Sequence, residues 1–185
     1  MMGAKTASLV LWSVSLLVSI PASLGQTSAQ SEGPSPKACE SEAHRAFDFW
    51  VGKWDVYKTG EGKIVAHSLI ESLYDGCAIR ENWMPLKGQA GGSISNYDER
   101  EQGWHQTWVD ASGTRVEFTG GYADGKMILT GLWRDVAGPG QDGLIRMTYS
   151  RLPEGAVRQL GELSQDAGGS WKPAFDFTYR PANME

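Results

Sequence analysis

The chain has 185 residues, with 22 acidic against 17 basic side chains and a formal net charge of −5. That balance argues against nucleic acid and anionic membrane surfaces as partners, since both call for a basic face. Past an N-terminal targeting segment about 150 residues remain, enough for one domain that buries roughly 70% of its unfolded surface.

Residues 1–25 read as a secretory signal peptide. Lys5 supplies a short positive region, Ala7 to Ile20 is an apolar run broken only by serines, and Pro21 with small residues leads to a cleavage site after Gly25 or after Ala29. The run is short for a bilayer span; the alternative is an uncleaved anchor. Residues 26–35 are rich in Ser, Gln, Gly and Pro and read as a disordered leader, which leaves 36–185 as the domain. Without Lys5, sixteen basic residues face the same 22 acidic ones, so the mature net charge is −6. No second apolar run is long enough to span a bilayer, so no stable membrane insertion is expected after cleavage, and the expected location is secreted or periplasmic. The two cysteines, Cys39 and Cys77, then meet an oxidising compartment, where an even count favours a disulfide over two buried thiols.

Ser35-Pro36 looks like a helix N-cap with proline at the first helical position. Cys39, Ala43, Phe47 and Trp50 follow at helical spacing, which predicts a short helix from Pro36 to about Phe47, stopped by Gly52. Past the glycine the alternation of Trp54, Val56 and Lys58 with Asp55 and Tyr57 is that of a strand. Nine further segments follow, from KIVAHSLIESLY to WKPAFDFTYR, with turn-forming residues between them, such as Gly60-Glu61-Gly62, Asp110 to Gly113 and Gln165 to Gly169. Ten short strands with no helix between them predict an all-β, antiparallel up-and-down meander, which protects its edges best by closing into a barrel. The glycine-rich run Gly88 to Ser93 lacks a Walker lysine and a following helix; it reads as a long hairpin loop, a lid at an open barrel mouth.

Strand alternation suggests what faces inward. Cys77, Ile79, Glu81 and Trp83 form one face of their strand, as do Ser93, Ser95 and Tyr97, and then Trp104, Gln106 and Trp108; Arg146 groups with Thr148, and Gln159 with Gly161. The candidate ligand-binding set is therefore Glu81, Trp83, Tyr97, Trp104, Gln106, Trp108, Arg146 and Gln159. A buried charge is costly unless paired, so Glu81 and Arg146 are expected to pair. Tryptophans would stack on a flat or apolar body, and the polar groups would orient it. The alternative is a packed core with one structural ion pair. No catalytic residue is assigned, although Glu81 with Arg146 or His105 would serve a small isomerase or cyclase. His44, His67 and His105 lack metal-ligand spacing, so no metal is expected, nor any cofactor. A third possibility is an envelope protein acting through its outer surface. Oligomeric state is not legible.

Gly52-x-Trp54 after a short helix resembles the glycine-x-tryptophan signature of the lipocalin and fatty-acid-binding (calycin) superfamily. The resemblance implies that Trp54 plugs the closed end of the barrel and that Arg180, from the last strand, lies across it by cation–π stacking. FDFWVGKWDV, DGC, YDEREQGWHQTWVD and VRQLGELSQDAGGSW together resemble an uncharacterised family of secreted bacterial lipocalin-like proteins. This implies the fold and, from the superfamily, the binding of a small molecule. A more distant similarity in shape, to the ten-strand haem barrel nitrobindin, does not extend to its proximal histidine, because no histidine follows His105. Ser164, Asp166, Gly168, Ser170 and Trp171 resemble an Asp-box, which implies a hairpin whose aspartate accepts backbone N–H groups.

Overall fold

The computed structural model describes residues 38–182; the expected signal peptide and leader lie outside the described residues. Ten strands form one closed antiparallel barrel, consistent with a lipocalin-like fold: β1 (Gly52–Lys58), β2 (Ile64–Leu73), β3 (Ala78–Pro85), β4 (Gly91–Asp98), β5 (Gly103–Asp110), β6 (Arg115–Ala123), β7 (Lys126–Trp133), β8 (Gly143–Arg151), β9 (Val157–Ser164) and β10 (Lys172–Pro181). Each strand pairs with the next, and the seam is closed by β1 against β10, where Val56 faces Tyr179. Closure leaves no free sheet edge. Gly91 and Gly92 belong to β4, so the loop at the mouth is shorter than the glycine-rich run suggests.

The N-terminal helix differs from expectation. Its expected start at Pro36 lies outside the described residues, among which the one α-helical turn, α1, covers Glu42–Arg45; Ser41 caps it, its Oγ accepting from His44 N at 3.3 Å. Cys39 cannot sit in that helix, because its φ of 63° is left-handed and its sulfur is bonded to Cys77. A separate 3₁₀ turn, Asp48–Trp50, carries the remaining apolar residues, and Phe47 stacks on Trp50 with ring centroids 4.9 Å apart. The helical spacing of Phe47 and Trp50 thus reports two short turns sharing one buried side. The Cys39–Cys77 disulfide ties this segment to the start of β3.

Together these turns plug the barrel at the end where the odd-numbered strands begin. Trp104 Nε1 donates to the Ala43 carbonyl at 3.1 Å, and His44 meets the Tyr97 ring edge-on at 5.0 Å. Trp54 is buried there and donates from Nε1 to the Trp50 carbonyl at 2.9 Å, the end-plug position expected of it. Gly52 makes room for the indole: a Cβ at that position would lie 3.1 Å from the ring. Arg180 does not cover Trp54. Phe175, Phe177 and Tyr179 alternate along β10, and Tyr179 is buried beside Trp54, so Arg180 faces out and lies over Tyr57 at 4.7 Å.

The β9–β10 hairpin matches the Asp-box expectation. Asp166 Oδ2 accepts from Ser170 Oγ at 2.7 Å, and Oδ1 from Ser164 Oγ at 2.7 Å and from Ser170 N at 2.8 Å; these hydrogen bonds hold its carboxyl down to about 2. Trp171 leaves the turn along the outer wall, where the Arg146 guanidinium covers it at 4.2 Å.

Candidate functional site

Above the aromatic plug the barrel holds a cavity of about 150 Å³ that opens at the opposite end. Its floor is polar. Glu81 on β3 lies directly opposite Ser93 on β4, and Ser68 on β2 is its diagonal neighbour. Ser93 Oγ donates to Glu81 Oε2 at 3.2 Å and Ser68 Oγ to Oε1 at 3.3 Å. The Tyr179 hydroxyl, which also neighbours this carboxyl, donates its one proton to Gln159 Oε1 at 2.6 Å. Gln159 Nε2 in turn donates to Tyr149 Oη at 3.1 Å. A separate buried pair, Gln106 Nε2 donating to Ser95 Oγ at 2.9 Å, lies alongside.

The walls above this floor are aromatic. Trp83 stacks on Phe177 at 5.7 Å, and Phe177 on Phe175 at 4.9 Å; Trp108 and Trp133 complete the wall towards the mouth. Gly161 permits this arrangement, since a Cβ there would meet the Phe175 ring at 2.4 Å.

Burial pushes Glu81 up to about 7, against the opposing effect of hydrogen bonds from Ser93 and Ser68. No guanidinium or ammonium offsets that burial among the described residues lining the cavity. The Tyr149 and Tyr179 hydroxyls are raised as well, first by burial and then by the negative charge of Glu81. The floor therefore stores one proton near neutrality and holds its phenols neutral.

Of the residues expected inside, Glu81, Trp83, Gln106, Trp108 and Gln159 line this cavity. Tyr97 and Trp104 face inward too, but they pack into the plug and do not reach it. Arg146 is a correction. The buried face of β8 is Ile145, Met147 and Tyr149, which turns Arg146 outward. There Nε and an Nη of Arg146 donate to Glu162 Oε2 at 3.1 and 2.9 Å. The expected Glu81–Arg146 pair does not form. His105 is also outside, 2.9 Å from Glu101, so neither partner considered for acid–base work shares the cavity with Glu81.

Sequence reasoning missed Ser68, Tyr149 and Tyr179 in the floor and Trp133, Phe175 and Phe177 in the wall. The signal for both tyrosines was present: Ile145, Met147 and Tyr149 form the apolar phase of β8, and Phe175, Phe177 and Tyr179 that of β10. Ser68 had no such signal, being one small polar residue in a strand with several.

The chain matches no protein-family model, and no curated protein is significantly similar to it.

Proposed function

We propose that this protein is an exported small-molecule-binding barrel of lipocalin-like type. The observation that carries the reading is the open cavity, with a polar floor centred on Glu81 beneath aromatic walls. Ligand sites combine apolar enclosure with a few convergent polar groups in this way. A volume of about 150 Å³ is below the common range for ligand pockets, about 300–1,000 Å³, and comparable to a cavity that admits one benzene-sized ring. The ligand is accordingly small. Export is supported by the signal-like N-terminus and by the Cys39–Cys77 disulfide, a bond that persists in oxidising compartments. The resemblance to secreted lipocalin-like proteins belongs to the same proposal.

The test is native mass spectrometry of the protein purified from its own host's envelope, beside the denatured mass of the same sample. It is paired with NMR titration of benzyl alcohol and toluene. A native mass exceeding the denatured mass by a small-molecule increment, or probe shifts confined to cavity residues, is expected. Equal masses together with no probe binding would remove the proposal.

A second reading, a small barrel enzyme, is favoured by one observation: a carboxyl that titrates near neutrality beside a hydrogen-bonded tyrosine pair suits general acid–base work. A Glu81→Gln protein that retains ligand affinity but loses turnover would select it over binding alone.

A further inference from the structure

The wall chemistry narrows the ligand class, on the binding reading above. Among the described residues that line the cavity there is no Lys, Arg or His. Its carboxyl groups are Glu81 at the floor and Asp110 at the rim. Asp110 is held to its own turn through Oδ1, which accepts from Ser112 N at 2.9 Å and Thr114 N at 3.2 Å, and stands at the rim away from the polar floor. Glu81 receives hydrogen bonds from neutral hydroxyls only.

Nearby cations are committed elsewhere. Arg80, beside Glu81 in β3, donates from Nε to Glu71 at 3.1 Å on the outer face. Arg146 is held by Glu162, and Arg158 donates from Nε to Asp176 at 2.8 Å. Arg146 is also stacked on Trp171. Each guanidinium lies on the far side of the sheet from the cavity, so an inward turn would require a strand to reverse its faces.

A buried carboxylate with hydrogen bonds and no counter-charge is an incomplete pair. The surfaces around it complete the picture. Trp83, Trp108, Trp133, Phe177 and Tyr179 present ring surfaces around one small volume. Aromatic faces carry partial negative charge and attract cations, most strongly where water is excluded. An anionic ligand would meet Glu81 and these faces with no base to hold it. A neutral ligand would leave Glu81 to keep its proton and, once the carboxyl ionises, would offer it no counter-charge.

We infer that the cavity takes a small organic cation, a primary or methylated amine on a body of about one ring, with its ammonium directed at Glu81 and its body against the indoles. Ser68 and Ser93 keep the carboxylate oriented for that contact, and the 150 Å³ volume excludes larger bodies.

Three probes of matched size separate the possibilities: benzylamine, benzyl alcohol and benzoate, titrated calorimetrically into the purified protein at pH 8. Benzylamine is expected to bind at least tenfold more tightly than benzyl alcohol, and benzoate more weakly than either. Glu81→Gln preserves side-chain size; it is expected to weaken benzylamine at least tenfold and so abolish its preference over benzyl alcohol. Equal affinity for amine and alcohol in the unaltered protein, or tighter binding of benzoate, would overturn the cation assignment while leaving small-molecule binding intact. Binding of none of the three would remove both. The unaltered protein alone decides the ranking, so the assignment stays open to refutation even if Glu81→Gln does not fold.

Discussion

Glu81 and Ser93 face each other across the β3–β4 pair, with the serine hydroxyl 3.2 Å from a carboxyl buried to 6% exposure. Among the described residues the other groups that face this carboxyl are neutral: Ser68 from β2, Tyr149 from β8 and Tyr179 from β10. Its protonation is thus governed mainly by burial.

Stability should therefore depend on pH through Glu81 in an unusual direction. The unfolded chain releases this proton near the ordinary glutamate value of 4.5, and the folded chain holds it until about 7. Between those values the native state binds more protons, so stability falls as pH rises and levels off above about 7. The full effect is on the order of 3 kcal/mol. Chemical denaturation of the protein and of Glu81→Gln from pH 4 to 8.5 checks this: the variant should gain on the parent as pH rises. A difference independent of pH would show that Glu81 is not held protonated.

The outer arginine should matter to stability and leave binding alone. Arg146 joins Glu162 and covers Trp171, both on the outer wall. Arg146→Ala is expected to cost about 1 kcal/mol from the partly exposed pair and the cation–π contact. Probe affinity should stay within twofold of the parent. A tenfold loss of affinity would place Arg146 in contact with the cavity after all.

Gly161 should tolerate no side chain. A Cβ would stand 2.4 Å from the Phe175 ring, so Gly161→Ala must drive the ring off its seat, an overpacking change of roughly 1–3 kcal/mol. The same shift reshapes the cavity wall. Denaturant midpoints and the NMR signals of Phe175 would report it, and an unchanged Phe175 environment would contradict the close approach.

The disulfide should be a large single contributor. Cys39 and Cys77 are 38 positions apart, and closing a loop of that size stabilises by on the order of 4 kcal/mol on the chain-entropy model. Cys39→Ser with Cys77→Ser should lower the denaturant midpoint accordingly. The denatured mass of the unaltered protein should fall two hydrogens short of the dithiol value.

Where a strand's two faces differ plainly, its phase was legible from the sequence. Ile79, Glu81 and Trp83, and likewise Trp104, Gln106 and Trp108, face as alternation predicts, and ten turn-bounded segments became ten strands. Errors arose where one residue's placement depends on distant partners. Alternation alone puts Arg146 with Thr148 on a face that can be read as inward, yet the apolar phase of β8 is the opposite one, Ile145, Met147 and Tyr149. Arg180 was assigned by resemblance, although the alternation ending in Tyr179 already turned it outward. The helix was overdrawn because spacing alone does not register a left-handed Cys39. A cavity is suggested by the inward aromatic and polar residues, but its small volume has no sequence signal, since empty volume depends on how rings from many strands meet.

The seam between β1 and β10 also sets an order of events. Val56 meets Tyr179 only when the last strand has been delivered, so a chain emerging in sequence carries two open edges until it is nearly complete. The Cys39–Cys77 link spans only the first strands and needs nothing beyond the start of β3. Oxidation can thus precede ring closure, whereas loss of the final strand would expose both β1 and β9 to pairing with other chains.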